Sequence, residues 1–276
     1  MKNPLSKYPT FTAYLLAILL FGLALFIGGL LNKGLLKEYF PYIPVVLLLL
    51  ATWLLYKREG LSLNRLGLNP SLKNLSFVPL GLLIGALAFL GSRIIRAAYL
   101  GEQISVADQL DFGALFLSLY YILPQVATEE LLFRGYLFKK TISRTNVVAA
   151  NVIFSILFML IHVLDDQVLS QPGMLNLLAV TIPVGYLLFA TALLQSRTLY
   201  FPIGLHLGNN WATRHLISGS NSGDSILYVS NAANFETWTP FIVMLLLTNG
   251  FFLLVCWCIW RWDKMVFYFK HMANTK

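Results

Sequence analysis

Residues 110–138 read LDFGALFLSLYYILPQVATEELLFRGYLF, and this stretch decides what kind of molecule the chain is. It is long and apolar enough for a membrane helix, yet near its end stand Glu129, Glu130 and Arg134. An ionisable group at bilayer depth costs about 2.5 to 3.5 kcal/mol on insertion scales, so it persists where it faces a cavity or a partner. Outward from this stretch the character holds. Of 276 residues 58% are hydrophobic and only 12% charged, against about a quarter charged in soluble domains, and the mean hydropathy is +0.71. The composition excludes an ordinary soluble domain and points to an all-α, polytopic membrane helix bundle.

Apolar windows of ~20 residues give about eight transmembrane helices, at residues 11–31, 40–56, 77–100, 112–139, 146–164, 174–195, 202–217 and 240–262. No linker, repeat or low-complexity tract divides them, so a single membrane domain over 1–276 is expected. The first window follows Lys2 and Lys7 but is too long for a signal-peptide core and lacks a small-residue cleavage site, so it reads as a retained helix. Residues 61–75 alternate Leu with Asn, Arg and Lys around Pro70 and suit the membrane surface. Cys256 and Cys258 lie two apart on one helix and cannot pair with each other.

The net charge of +8 is not spread evenly. With both termini cytoplasmic, Lys57, Arg58, Arg65, Lys73, Lys139, Lys140, Arg144, Arg197, Arg261, Lys264 and Lys270 all fall on the cytoplasmic side. Glu102, Asp108, Asp111, Asp165, Asp166, Asp224 and Glu236 fall on the other, together with the long polar loop 218–238. The excess charge therefore reads as topology and contact with membrane lipids, with no case for nucleic acid. Lys33, Lys37, Arg93 and Arg96 go against the rule; the arginines either sit inside the bundle or snorkel outward.

Three polar clusters in apolar surroundings carry the chemistry. On a helix Glu130 and Arg134 stand at i and i+4 with the acid first, the favourable order for an ion pair. Glu129 points about 100° away, which leaves it free to act as a general base. Pro124 frees the carbonyl of Tyr120 and makes room beside the acids. Phe158 and His162 share one face of a later helix, and His206 and Asn210 share a face of another. Pro202 suits that last helix's first turn, and Gly204 and Gly208 allow a neighbour to approach closely. Gly81 and Gly85 also make a GxxxG, but such pairs recur by chance in apolar helices and earn no contact here. His215 and His271 read as interfacial.

Together the clusters resemble the CAAX protease and bacteriocin-processing family, whose pattern is EExxxR, FxxxH and HxxxN/D on successive helices. The match runs through Glu129, Glu130 and Arg134, then Phe158 and His162, then His206 and Asn210. The resemblance covers a catalytic core of about residues 110–217 and implies an intramembrane endopeptidase of a bacterial plasma membrane acting on a peptide or protein substrate. In it Glu129 works with His162 to activate water, His206 and Asn210 stabilise the oxyanion, and Glu130 with Arg134 supports them. No cofactor is expected. A Glu and two His could also form a zinc site with an open position, and the family was once treated as metalloprotease-like, but the metal-free reading is favoured.

The alternative is a non-proteolytic protein of the same architecture, an ion-coupled carrier or a bacteriocin self-immunity protein, because intramembrane carboxylates mark pathways as readily as catalysts. Other membrane proteases are disfavoured: the sequence holds no HExxH, and residues 219–224 contain neither GxSG nor GxGD. Counted from the helix ends, His162 lies nearer the outer surface than Glu129 does.

Overall fold

The computed structural model describes residues 9–164, 166–233, 235 and 237–264. Lys2, Lys7, Asp165, Glu236, Lys270 and His271 lie outside the described residues. Each apolar window corresponds to a helix: α1 (Pro9–Leu31), α3 (Ile43–Arg58), α5 (Phe77–Leu100), α6 (Phe112–Arg134), α8 (Val147–Val163), α10 (Pro172–Ser196), α11 (Tyr200–Trp211) and α12 (Trp238–Trp260). Short helices fill the connections: α2 (Gly34–Tyr39), α4 (Leu72–Leu75), α7 (Tyr136–Arg144) and α9 (Asp166–Leu169). Among the described residues four helices are long and apolar enough to cross a membrane by length and composition, namely α1, α10, α12 and the stretch Leu72–Leu100 that contains α5. The segment 61–75 forms only two short helical turns, with Leu72 fully exposed.

Two ends of the bundle can be told apart. Tyr14, near the start of α1, hydrogen-bonds Thr141 of α7 at 2.8 Å, and Gln195 at the end of α10 bonds Asp263 beyond α12 at 2.9 Å. Both ends of the described chain therefore lie where the lysines and arginines of 57–73 and 139–144 gather. At the opposite end the loop 218–238 is not plain coil. It supplies β2 (Ile217–Ser218) and β3 (Leu227–Val229), which join β1 (Ile104–Val106) in a three-stranded sheet of order β1-β3-β2, antiparallel then parallel. Strands of two and three residues with mixed polarity leave no period for a sequence to show.

This sheet end settles where the exceptional arginine goes. Arg96 neither snorkels nor stays bare. It forks onto Glu102, with Nη2 to Oε1 at 2.7 Å, and its guanidinium lies over the Phe235 ring. The Glu102 side chain is 1% exposed and also accepts the Ala233 N–H. Burial would raise the Glu102 carboxyl. The hydrogen bonds from Arg96 and Ala233 and the charges of Arg96 and Arg93 outweigh it and hold the group below the usual carboxylate range. Removing one partner of a buried pair costs about 3 kcal/mol or more, so Arg96→Ala should lower the melting temperature of the solubilised protein markedly. A depressed carboxyl contributes stability that is present above its unfolded pKa and lost as the pH falls through its folded one. Acidification below about pH 4 should therefore destabilise the parent at this end and the variant much less.

Two cores share α10. Tyr186, Ala190 and Leu193 pack with Leu48, Leu55, Leu131, Phe138 and Phe154 on one side, while Leu188, Phe189 and Ala192 pack with Leu205 and Phe252 on the other. α5 and α11 meet backbone to backbone. A Cβ on Gly85 would lie 2.0 Å from the Leu205 carbonyl oxygen, and one on Gly208 would lie 2.0 Å from that of Leu82. Gly81 and Gly204 make the same seam one turn away. The GxxxG of α5 is thus a helix contact after all, and its partner is the glycine pair that precedes and follows His206.

Candidate active site

α6 lays out the acids. Pro124 sits inside it without breaking it, and the carbonyl of Tyr120 that the proline leaves unbonded accepts the Tyr42 hydroxyl at 2.9 Å. A tyrosine from the start of α3 thus satisfies that group. The helix stops at Gly135, earlier than residue 139, where a Cβ would come within 2.0 Å of the Leu131 carbonyl oxygen. After that break α7 continues alongside α8.

Glu130 and Arg134 form the i, i+4 ion pair, Nη1 to Oε1 at 2.7 Å, with both side chains fully buried. The guanidinium is enclosed by three aromatic faces: Tyr186 at 4.3 Å, Phe158 at 4.9 Å and Phe189 at 5.1 Å. Desolvated cation–π contacts reach about 2 kcal/mol each, so the cage offsets part of the cost of burying a cation whose Nε and Nη2 have no hydrogen-bond partner among the described residues.

His206 enters from α11, stacked on Phe189 with ring centres 4.5 Å apart. Its Nδ1 is 2.8 Å from Glu130 Oε1. A carboxylate only accepts, so Nδ1 carries a hydrogen and Glu130 sets the orientation of the ring. Nε2 then faces Glu129 Oε2 at 3.6 Å. That oxygen has no hydrogen bond among the described residues, while Oε1 of the same carboxylate accepts from Gln125 Nε2 at 3.0 Å. Gln125 Oε1 in turn accepts from Arg214 at 3.3 Å. A continuous polar line thus runs from exposed Arg214 through Gln125, Glu129, His206 and Glu130 to sealed Arg134.

His162 lies near the end of α8, and its Nδ1 is 2.7 Å from the Phe158 carbonyl oxygen. The same argument puts the hydrogen on Nδ1 and leaves Nε2 of the neutral ring with its lone pair. Its depth now has an answer. Phe133 meets Phe158 at 5.0 Å and Phe138 meets Phe154 at 5.6 Å, so α8 runs antiparallel to the end of α6 and α7. Four residues back from Phe133 is Glu129; four residues on from Phe158 is His162. Each step is about 6 Å in the same direction, which brings the two to one level. α8 begins about where the sequence suggests; the extra depth comes from α7 carrying the chain farther toward the cationic end before α8 starts.

The structure therefore gathers Glu129, Glu130, Arg134 and His206 into one cluster and sets His162 beside it across Phe158, whose ring is 4.6 Å from His162 and 6.2 Å from His206. Asn210 follows one turn after His206, half-buried, and its carboxamide makes no hydrogen bond among the described residues. His215 bonds the Asp224 carbonyl and stays outside the cluster. Sequence reasoning missed Gln125, Tyr186, Phe189 and Arg214. Gln125 was visible as a polar residue at i and i+4 with Glu129; Tyr186 and Phe189 look like any core aromatics and carry no signal. Among the described residues no three His, Cys, Asp or Glu side chains are grouped to hold a metal ion.

Residues 111–212 match the family described as type II CAAX prenyl endopeptidase Rce1-like. Over this segment the chain is similar to the CAAX protease family. The matched segment begins at the N-cap of α6, Asp111, and ends just past α11, so it holds every residue of the cluster except Arg214. CAAX proteases are peptide hydrolases, and the match together with the four long apolar helices marks an integral membrane protein. Neither the curated proteins nor the solved structures gave a significant match.

Proposed function

We propose that the protein is a glutamate-type intramembrane endopeptidase that hydrolyses a peptide bond in a membrane-associated protein or peptide. The supporting observation is the cluster itself: a carboxylate with one unengaged oxygen, 3.6 Å from an imidazole whose other nitrogen is held by a second, ion-paired carboxylate. Glu129 Oε2 accepts a proton from water, with His162 Nε2 as second acceptor orienting it, and the water oxygen attacks the scissile carbonyl carbon. The carbonyl oxygen, now negative, is held by the Asn210 amide N–H and by Nε2–H of His206, which enters the reaction as the imidazolium with hydrogens on both ring nitrogens and Glu130 as its counter-charge. As the carbon–nitrogen bond breaks, Glu129 returns the proton to the leaving amine. Glu130 and Arg134 are positioning residues: they hold the His206 ring plane through its Nδ1–H.

The mechanism uses no metal and no cofactor. With both termini cytoplasmic, the cationic end of the bundle faces the anionic inner leaflet of a bacterial plasma membrane, in keeping with the charge rule. Mass spectrometry of a peptide incubated with the solubilised protein tests the class. A new terminus establishes hydrolysis; intact peptide with Glu129-dependent ion flux would establish a carrier, and intact peptide bound without flux an immunity protein. Activity is expected to survive chelator treatment, and loss restored by zinc would overturn the metal-free mechanism.

A further inference from the structure

The cationic end holds a cavity of about 380 Å³ between the end of α3 and α7, at the small end of the ~300–1,000 Å³ range of ligand pockets. Arg65, Lys139 and Lys140 line it together with a single carboxylate, Glu59. That carboxylate is already answered. Tyr136 donates its hydroxyl to Glu59 Oε1 at 2.6 Å, and Lys140 pairs with the same oxygen. Burial would raise the Glu59 carboxyl, but these two bonds and the charges of Lys140 and Arg144 hold it ionised below the usual range. Arg65 and Lys139 make no ion pair among the described residues, and Arg197 lies close enough to repel Lys139. The cavity therefore keeps two unanswered cations.

A second observation also points to a ligand. Tyr56 lines the cavity, is 4% exposed, and its hydroxyl has no hydrogen-bond partner among the described residues. Its ring meets the Tyr136 ring edge-on, centres 5.2 Å apart, and the Tyr136 hydroxyl in turn reaches Glu59 on the cavity wall. A buried hydroxyl without a partner is unfavourable, and an anionic oxygen is its best acceptor. One carboxylate could answer one guanidinium. Two cations and a hydroxyl together call for a group with several charged or polar oxygens on one centre.

We propose that this cavity binds a phosphate group through Arg65, Lys139 and the Tyr56 hydroxyl. The phosphate comes either from the headgroup of an anionic phospholipid or from a soluble phosphate compound. The placement, at the terminus of a membrane helix and on an amphipathic one, is the depth at which headgroups lie. The site is separate from the catalytic cluster and does not depend on the protein being a protease.

Native mass spectrometry of the full chain in detergent with dioleoylphosphatidylglycerol, paired with calorimetric titration of inorganic phosphate, tests it. One lipid should be retained per chain, with competition by inorganic phosphate. The double variant Arg65→Ala/Lys139→Ala should weaken retention at least tenfold. Tyr56→Phe, which keeps the ring and every charge, should weaken it severalfold, while Lys57→Ala/Lys73→Ala, exposed at the same end and outside the cavity, should leave it unchanged. Phosphate heat that Arg65→Ala/Lys139→Ala abolishes, without lipid retention, identifies the soluble source. Equal loss in the Lys57/Lys73 variant, full retention in Tyr56→Phe, or no binding of either probe overturns the proposal.

Discussion

Glu129→Gln is expected to lose about 10²- to 10⁴-fold in kcat, the range that positioned acid–base groups contribute, with a melting temperature close to the parent's. Gln fills the same volume, and its carbonyl can still accept the Gln125 amide that Glu129 Oε1 accepts at 3.0 Å. Glu129 takes no part in the buried ion pair, which belongs to Glu130 and Arg134. The loss should therefore fall on turnover rather than folding. Glu130→Gln is the contrast: it removes the carboxylate paired with a fully buried guanidinium and the acceptor that holds His206, so stability and activity should fall together. The readout is cleavage rate against thermal melting for the two variants side by side. Full activity in Glu129→Gln would remove it as the base.

The other large effect is structural and lies outside the cluster. Gly85→Ala puts a methyl 2.0 Å from the Leu205 carbonyl oxygen, an encounter with backbone that no rotamer change relieves. The helices must separate, at a cost of about 3 kcal/mol, the upper range for overpacking. Leu205 is the residue before His206, so the same displacement shifts the imidazole. Misplacing a catalytic group by about 1 Å costs on the order of 10²-fold. The variant should thus melt lower and, where still folded, cleave about a hundredfold more slowly. Gly22→Ala, whose added methyl meets nothing within 4 Å, is the matched control and should change neither.

Much of the architecture was legible because hydropathy is local: a run of apolar residues becomes a helix whatever it packs against, and the windows fall on helices throughout. The Glu130–Arg134 pair was legible for the same reason, since i and i+4 meet within one helix. Contacts between distant segments were not. Nothing local says that His206 would meet Glu130, 76 residues away. Nor does the freed Tyr120 carbonyl announce that Tyr42 will fill it. Gly81 and Gly85 illustrate the limit from the other side: the motif is visible in the sequence, but small residues four apart gain meaning only from the partner helix. The short strands escaped because two or three residues carry no period, and the end of α6 at Gly135 because the apolar pattern runs on past it through Tyr136, Leu137 and Phe138.

The seam between α5 and α11 also bears on where this molecule could be trimmed. The segment that carries the family likeness starts at residue 111, yet the surface on which α11 rests belongs to residues 77–100. Excising the recognisable part alone would strip the backbone groove that seats the second histidine and leave its glycines facing lipid. A minimal working version has to begin upstream of Phe77.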